Sequence, residues 1–525
     1  MENRKKTTVT TGEILYWLFF GLLLFAKGIG LYDGQAVFRL VLVFAGACFL
    51  IKLAIEKYTL AEMLRVIGVI AFTAVTYLIS GEKGLLLYGM MVAGMKYVNV
   101  KRLFTMGTIL WTVAFFCITV SSLFHMEDTV YKVHEKLGMG HIFRWSLGYP
   151  HPNVLQISYL ILAIFIIYCL GERFRIRHAI YLLAGGLWVF LYSVSYTGIA
   201  VLFCLLAGRT YLYFRKKLNR VEKVLLQMLL PLCVAASLIA PVVLKGRAFE
   251  IVNKLLSTRL LLGKLYLIPE NISLFGKRYA QISNEVLTLD NSYLFAFITY
   301  GIIPFIFLVA ATFYMIHVYL KKDRYLEVLI MVTIVVGGLT EPFLYNTSFR
   351  NLSFLFMGSL MFEMESNGKL RSILPQKWTS SLNREFLIPQ TEGCKINKKA
   401  NQVMKPAFYK VICGVAGACL LVLILNTFVS YPEGYVVPRK DCAGLTKEMH
   451  YYDEQNTDYD KYRKMGSFPN GDEVEYFSGN IVKMERIRND ISGILFGLLI
   501  GYVLSGEIGI IIDQKRHSSD ADRVK

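Results

Sequence analysis

Of 525 residues, 55% are hydrophobic and 14% aromatic, an apolar load too high for a soluble chain of several domains. The formal charge of +19 would suit a nucleic-acid binder, but the basic residues sit mostly in short loops between apolar runs, so they are read as membrane topology and nucleic acid is excluded as a partner. The nine cysteines build no disulfide framework: seven lie in apolar segments, Cys394 in a basic stretch, and only Cys442 in a segment expected outside.

Apolar runs fall at about 13–31, 35–52, 63–80, 84–97, 103–124, 153–170, 179–195, 197–213, 224–244, 293–319, 327–342, 352–366, 409–430 and 490–512, giving fourteen candidate membrane helices. The first follows the basic start MENRKK without a small-residue cleavage pattern and is expected to remain as an anchor. Positive loops alternate: Arg4/Lys5/Lys6, Lys52/Lys57, Lys96/Lys101/Arg102, Arg173/Arg175/Arg177, Arg209–Arg220, Lys321/Lys322/Arg324, 367–410 and Lys515/Arg516 belong inside. Segments 125–152, 245–292, 342–351 and 431–489 then lie outside, with both termini inside. Three regions follow. Residues 1–366 form a bundle of about twelve helices, 367–408 a basic inner linker, and 409–525 a two-helix hairpin around a Tyr-rich outer insert at 431–489. No internal repeat is visible, so the inverted repeats of many transporters find no support.

The segment 245–292 carries Lys245, Arg247, Lys254, Arg259, Lys264, Lys277 and Arg278 against Glu250, Glu270, Glu285 and Asp290. A basic excess is depleted in translocated loops, so this one calls for a reason, and an anionic lipid-linked substrate supplies it. Ile251, Val252, Leu255 and Leu256 predict an interfacial helix ahead of Ser257-Thr258-Arg259; Phe275-Gly276-Lys277-Arg278 reads as a turn presenting two cations. A guanidinium fork suits a diphosphate; simple contact with lipid head groups is the plainer alternative.

Earlier in the chain, Arg144-Trp145 precedes Pro150-His151-Pro152-Asn153. The prolines hold His151 near the membrane surface at a helix start, and an aromatic-belt loop capped by Asn153 is the alternative. Tyr192–Gly198 reads as a tight hairpin of hydroxyl residues. Glu341-Pro342 ends an apolar helix, where a carboxylate needs a partner such as Arg350 or water. Of the cations within helices, Lys27 is expected to snorkel and Arg39 to face the interior beneath Arg259; Glu62 and Arg65 read as surface residues at a helix start. No metal, Walker A, dinucleotide or redox motif appears.

Taken together, the helix count, the Gly148–Asn153 loop, the Tyr192–Gly198 hairpin, the progression Ser257-Thr258-Arg259…Phe275-Gly276…Asp290-Asn291-Ser292-Tyr293…Gly301-Ile302 and Glu341-Pro342 resemble the O-antigen ligase and polysaccharide polymerase superfamily (Wzy-type polymerases) over residues 10–366. The resemblance implies an all-α polytopic, GT-C-like bundle in the bacterial cytoplasmic membrane. It implies a metal-independent glycosyltransferase, without cofactor, that joins undecaprenyl-diphosphate-linked repeat units at the outer face. Its partners would be that lipid-linked glycan, membrane lipid, and a flippase and chain-length regulator of the same pathway. On that reading Arg259, Lys277 and Arg278 bind the diphosphate, with Arg39, Arg144 and Asn291 as further substrate contacts. Asp290, Glu341 and His151 are the candidate catalytic groups.

Two departures stand out. Ligase relatives carry His-Asn where this chain has Asp290-Asn291, and Tyr196 replaces an arginine common in the hairpin; both favour polymerase over ligase. A ligase acting on another acceptor, and a lipid-linked glycan flippase, remain the alternatives. A flippase should bury charges deep in several helices, whereas the polar groups of this chain gather on one side.

Overall fold

The computed structural model describes residues 7–124, 131–135, 141–256, 258–278, 289–364, 370–373, 378, 382–388, 407–429, 435–438, 474–477 and 483–501. It is a mostly helical, multi-pass membrane protein. Nine helices among the described residues are long and apolar enough to cross a bilayer: α1 (Thr11–Gly28), α2 (Ala36–Ile55), α3 (Leu60–Ser80), α5 (Val100–Phe124), α6 (Pro152–Leu170), α7 (Ile176–Ser193), α8 (Tyr196–Phe214), α9 (Arg220–Leu238) and α14 (Ile302–Lys321). Shorter helices intervene: α4 (Gly84–Ala93), α10 (Ala240–Val243), α11 (Gly246–Leu255), α12 (Arg259–Tyr266), α13 (Ser292–Tyr300), α15 (Tyr325–Gly337) and α16 (Ser353–Glu363). Two more, α17 (Ala407–Phe428) and α18 (residues 483–501), follow the linker. Ser257, Thr288, Cys394, Cys442, the insert 439–473 and Lys515/Arg516 lie outside the described residues.

Contacts divide the chain into two compact units. The first comprises Met1–Phe115, Gln156–Leu187 and Ser195–Pro389; the second comprises Phe116–Leu155, Trp188–Val194 and Gln390–Lys525.

In the first unit, helix starts follow capping chemistry. Thr10 caps α1 through Glu13 N, and Thr59/Glu62 and Asn219/Glu222 form capping boxes at α3 and α9. The single helix expected over 293–319 is two helices. Gly301 sits at φ +87° between α13 and α14, a conformation that favours glycine. The segment before it fills the gap: Ile302 N donates to Ser273 O at 2.9 Å and Ile303 N to Leu274 O at 3.0 Å. The two segments abut so closely that a Cβ on Gly301 would overlap Gly276 N, and one on Gly276 would overlap Thr299 O. Backbone groups freed by a break within an apolar environment need such partners. The run expected at 224–244 likewise ends early, at Leu238, and restarts as the one-turn α10 with Pro241 in its first turn.

The loop charges at the Thr11 end of the unit do more than mark topology. Lys52 pairs with Glu56 at 3.2 Å and donates to Lys96 O at 2.9 Å; Lys96 pairs with Glu62; and Arg102 pairs with Glu13 at 3.1 Å. Lys52, Glu56, Lys96, Glu62 and Glu13 are all buried, and Arg65 is half-buried, so Glu62 and Arg65 are not the surface residues expected. Desolvated charges require such pairing. Two short antiparallel ladders lie at the same end: β1 (Thr7–Thr10) with β6 (Glu385–Ile388), and β2 (Lys57–Tyr58) with β5 (Arg371–Ser372).

Lys27 and Arg39 exchange their expected places. α1 is mostly buried, and Lys27, 5% exposed, sets its ammonium 3.8 Å over the Phe38 ring. On α2 the buried stripe is Phe38, Ala45, Phe49, Lys52 and Ile55; Arg39, one position past Phe38, is rotated off it and exposed.

In the second unit, β3 (Tyr131–Glu135) pairs antiparallel with β4 (His141–Trp145), and β7 (Tyr435–Pro438) with β8 (Val474–Phe477). α17 and α18 pack backbone to backbone. A Cβ on Gly497 would overlap Ala418 and Gly417 O, and one on Gly501 would overlap Cys413 O. Gly493-xxx-Gly497-xxx-Gly501 is the small-residue spacing that lets membrane helices approach. A second face of α18 carries polar groups: Ser492 Oγ accepts from Trp188 Nε1 at 2.8 Å and shares a 2.5 Å bond with Tyr192 Oη, which also donates to Asn489 Oδ1 at 3.0 Å.

Candidate functional site

The first unit gathers Arg259, Asp290 and Glu341 into one cluster. Arg259 opens α12 behind Thr258, whose φ of +70° is rare for a β-branched residue and turns the chain sharply into the helix. Asn253 supports the turn, accepting at Oδ1 from Leu261 N at 2.9 Å. From there the guanidinium donates through Nε to Thr340 O at 3.0 Å, and Nη2 lies 3.5 Å from Glu341 and 3.8 Å from Asp290. Glu341 is nearly buried, whereas the Asp290 side chain is 25% exposed. Of the two carboxylates against the guanidinium, Asp290 is the more accessible.

Asn291 builds the floor. It caps α13, Oδ1 accepting from Tyr293 N at 2.9 Å and Leu294 N at 3.0 Å, while Nδ2 donates to Ser237 Oγ at 2.8 Å and Leu339 O at 3.0 Å. Both amide hydrogens are thereby engaged within the protein. Ser292 continues the tie, its hydroxyl donating to Glu341 O at 2.5 Å and accepting from Leu344 N at 3.1 Å. Asp290 and Glu341 are therefore held by a common lattice of buried hydrogen bonds, and Arg259 is its charged keystone. Arg350 sets its guanidinium 6.0 Å over the Trp111 ring.

The two cations of the Phe275–Arg278 turn separate. Lys277 bends back to Glu270 O, while exposed Arg278 lays its stem against Gly81, where an added Cβ would lie 3.8 Å from Arg278 Cγ. Beside Gly81, Lys83 pairs with both oxygens of Asp33 at 2.9 and 2.8 Å, and Glu82 accepts from Thr347 N at 3.1 Å. Burial pushes the Glu82 carboxyl above the usual carboxylate range, against the pull of the Thr347 and Gly84 N–H groups. Lys27 lies in the field of Arg350, Asp33, Glu82 and Lys83. Arg39 stands apart, exposed on α2.

No protein family, curated protein or solved structure matches this chain. The site must be read from its own geometry.

The remaining candidates belong to the second unit. Arg144, 3% exposed, donates through Nε to Ser193 O at 2.7 Å and through Nη2 to Asn153 Oδ1. His151 rather than Asn153 caps α6: its Nδ1 accepts from Asn153 N at 3.1 Å, and its carbonyl accepts from Val154 N at 3.0 Å. The proline after it fits the first helical turn, which has no use for an N–H there. With Nδ1 engaged as an acceptor, the neutral ring carries its proton on Nε2. The Tyr192 hairpin turns at Val194, φ +43°, as the run of small hydroxyl residues predicts.

Sequence reasoning passed over the Asp33/Glu82/Lys83 group and the polar face of α18. The signals were present: Glu82-Lys83 is bracketed by Gly81 and Gly84 ahead of an unusually short apolar run, and the three glycines of α18 recur at four-residue spacing.

Proposed function

We propose that this protein is a membrane glycosyltransferase that polymerises diphosphate-lipid-linked oligosaccharide units at the outer membrane face. The observation that carries the reading is the Arg259–Asp290–Glu341 cluster, in which one guanidinium lies against two carboxylates and Asp290 is the more accessible of them. A hydroxyl acceptor attacks the anomeric carbon of the donor, the bond from that carbon to the diphosphate oxygen breaks, and the diphosphate leaves on its lipid. Asp290 takes the hydroxyl proton, and Glu341 adds negative charge beneath it. Arg259, with both carboxylates against it, acts as a positioning residue more than as the diphosphate clamp. The neutralisation that the leaving group needs falls to Arg278, exposed beside Gly81.

The test is glycan size in a strain lacking the gene and complemented with wild type, Asp290→Asn or Arg278→Ala. Surface polysaccharide is resolved on a gel, and lipid-linked intermediates are extracted in parallel. Wild type should give a ladder, and Asp290→Asn single repeat units on the lipid diphosphate. Long chains retained on the lipid would show ligation instead. Single units accumulating on the inner leaflet would show a flippase and overturn the proposal.

A further inference from the structure

At the Thr11 end of the first unit, the β2–β5 ladder borders an apolar hollow of about 280 Å³. Its walls come from Leu53 of α2, from Val66, Ile67, Ile70 and Ala71 of α3, and from Ile373 just past β5. Ile67 is 51% exposed and Ala71, one turn on, is exposed too, on a helix long and apolar enough to span a bilayer. The hollow thus opens toward hydrocarbon. Ala71 lies about 17 Å along α3 from Leu60 at 1.5 Å per residue, roughly half of a 30 Å hydrocarbon core, so the hollow reaches one leaflet deep.

One polar atom interrupts this lining. Tyr58 of β2 also faces the hollow; it is 2% exposed, and its hydroxyl is buried without a hydrogen-bond partner. A buried phenol ordinarily finds one. The ring is fixed from behind, with the Lys96 ammonium 4.8 Å from its centroid and Lys96 in turn paired with Glu62.

The ladder register sets a cation on the same side. Tyr58 lies directly opposite Arg371; cross-strand partners share a face, as do residues two apart in a strand, so Arg371 projects with Tyr58 and Ile373. Arg371 is exposed, and neither it nor Lys57, the other residue of β2, forms an ion pair among the described residues. Nearby in the chain, Leu370, Ile373 and Trp378 are 54%, 58% and 64% exposed. Exposed tryptophan and basic residues at the ends of membrane helices belong to a head-group region.

An apolar hollow one leaflet deep, with an unsatisfied hydroxyl and an available guanidinium at its head-group end, fits an amphiphile with an anionic head. We infer that the hollow binds an anionic glycerophospholipid of this leaflet, the inner one by the loop charges, with an acyl chain against α3 and the phosphate at Arg371. Tyr58 donates its hydroxyl to a phosphate or ester oxygen of the same lipid. The inference does not depend on the glycosyltransferase reading.

Native mass spectrometry of the full-length protein, released from detergent with phosphatidylglycerol or phosphatidylcholine of matched acyl chains, tests it through the first lipid retained. The wild type should retain phosphatidylglycerol about ten-fold over phosphatidylcholine, the worth of one charge-assisted contact. Arg371→Ala should abolish that preference. Tyr58→Phe, which keeps the ring, should lower retention of both lipids about five-fold. Ala71→Trp, at an exposed position where the added ring fills the hollow, should lower both at least as much. Equal retention of the two lipids by the wild type would mark ordinary bilayer contact and overturn the inference. So would an unchanged preference in Arg371→Ala or unchanged retention in Ala71→Trp, either of which would move the lipid elsewhere. Displacement of the lipid by glycerol 3-phosphate would mark a soluble-anion site and overturn it as well.

Discussion

Arg259→Met tests whether the guanidinium holds the two carboxylates of the candidate site. The substitution keeps the length and apolar stem of the side chain while removing the charge. It leaves Glu341, 8% exposed at its side chain, without its 3.5 Å counterion, and Asp290, 25% exposed, without its 3.8 Å one. Breaking a buried pair by removing one partner costs about 3–5 kcal/mol. Partial exposure of Asp290 and the longer separations bring the expectation toward the lower end, about 3 kcal/mol, part of which is the lost bond to Thr340 O. If the carboxylate charge is the cause, Glu341→Gln in the same chain should relieve it, so the double variant should be about 1–2 kcal/mol more stable than the two single costs predict. Equilibrium unfolding of the detergent-solubilised full chain in SDS, followed by tryptophan fluorescence, reads all four corners of the cycle. Additivity within about 0.5 kcal/mol would refute the ion-pair account and reduce Arg259 to a packing residue.

Two further outcomes follow from the geometry. Gly497→Leu should force α17 and α18 apart, because even a Cβ there overlaps Ala418; amide hydrogen exchange in 407–429 and 483–501 should rise while the first unit keeps its protection. Burial raises the Glu82 pKa above the usual carboxylate range, so its contribution to stability is present at low pH and is lost as pH rises through the raised pKa. Glu82→Gln should remove that loss, and unfolding midpoints measured from acid to neutral pH should be flatter for the variant than for wild type.

Much of this architecture was legible from apolar runs because a bilayer dictates helix length, whatever the tertiary packing. Arg259, Asp290 and Glu341 could be grouped because each stands at the end of an apolar segment on the same side of the topology. What the sequence concealed depends on partners far along the chain. Lys52 and Lys96 read as loop cations, yet they turn inward because Glu56 and Glu62 are brought beside them. Lys27 and Arg39 were exchanged because depth along a helix is readable while rotation about its axis is not, when nearly every face is apolar. Asn291 looked like a substrate ligand, but its spacing before α13 is equally that of a cap, and the fold uses it as one. Gly301 could not be seen as a helix break without knowing that residues 273–276 arrive to satisfy it.

The ladder between Thr7–Thr10 and Glu385–Ile388 has a consequence for biosynthesis. Its strands are separated by about 375 residues, so at 5–20 residues per second the first waits about 20–75 s for its partner to leave the ribosome. Until then Thr7–Thr10 has no Glu385–Ile388 strand to pair with. The first unit is thus closed late, by the very segment that links it to α17, and a nascent chain halted anywhere before residue 385 would carry an open strand edge to which another chain can add.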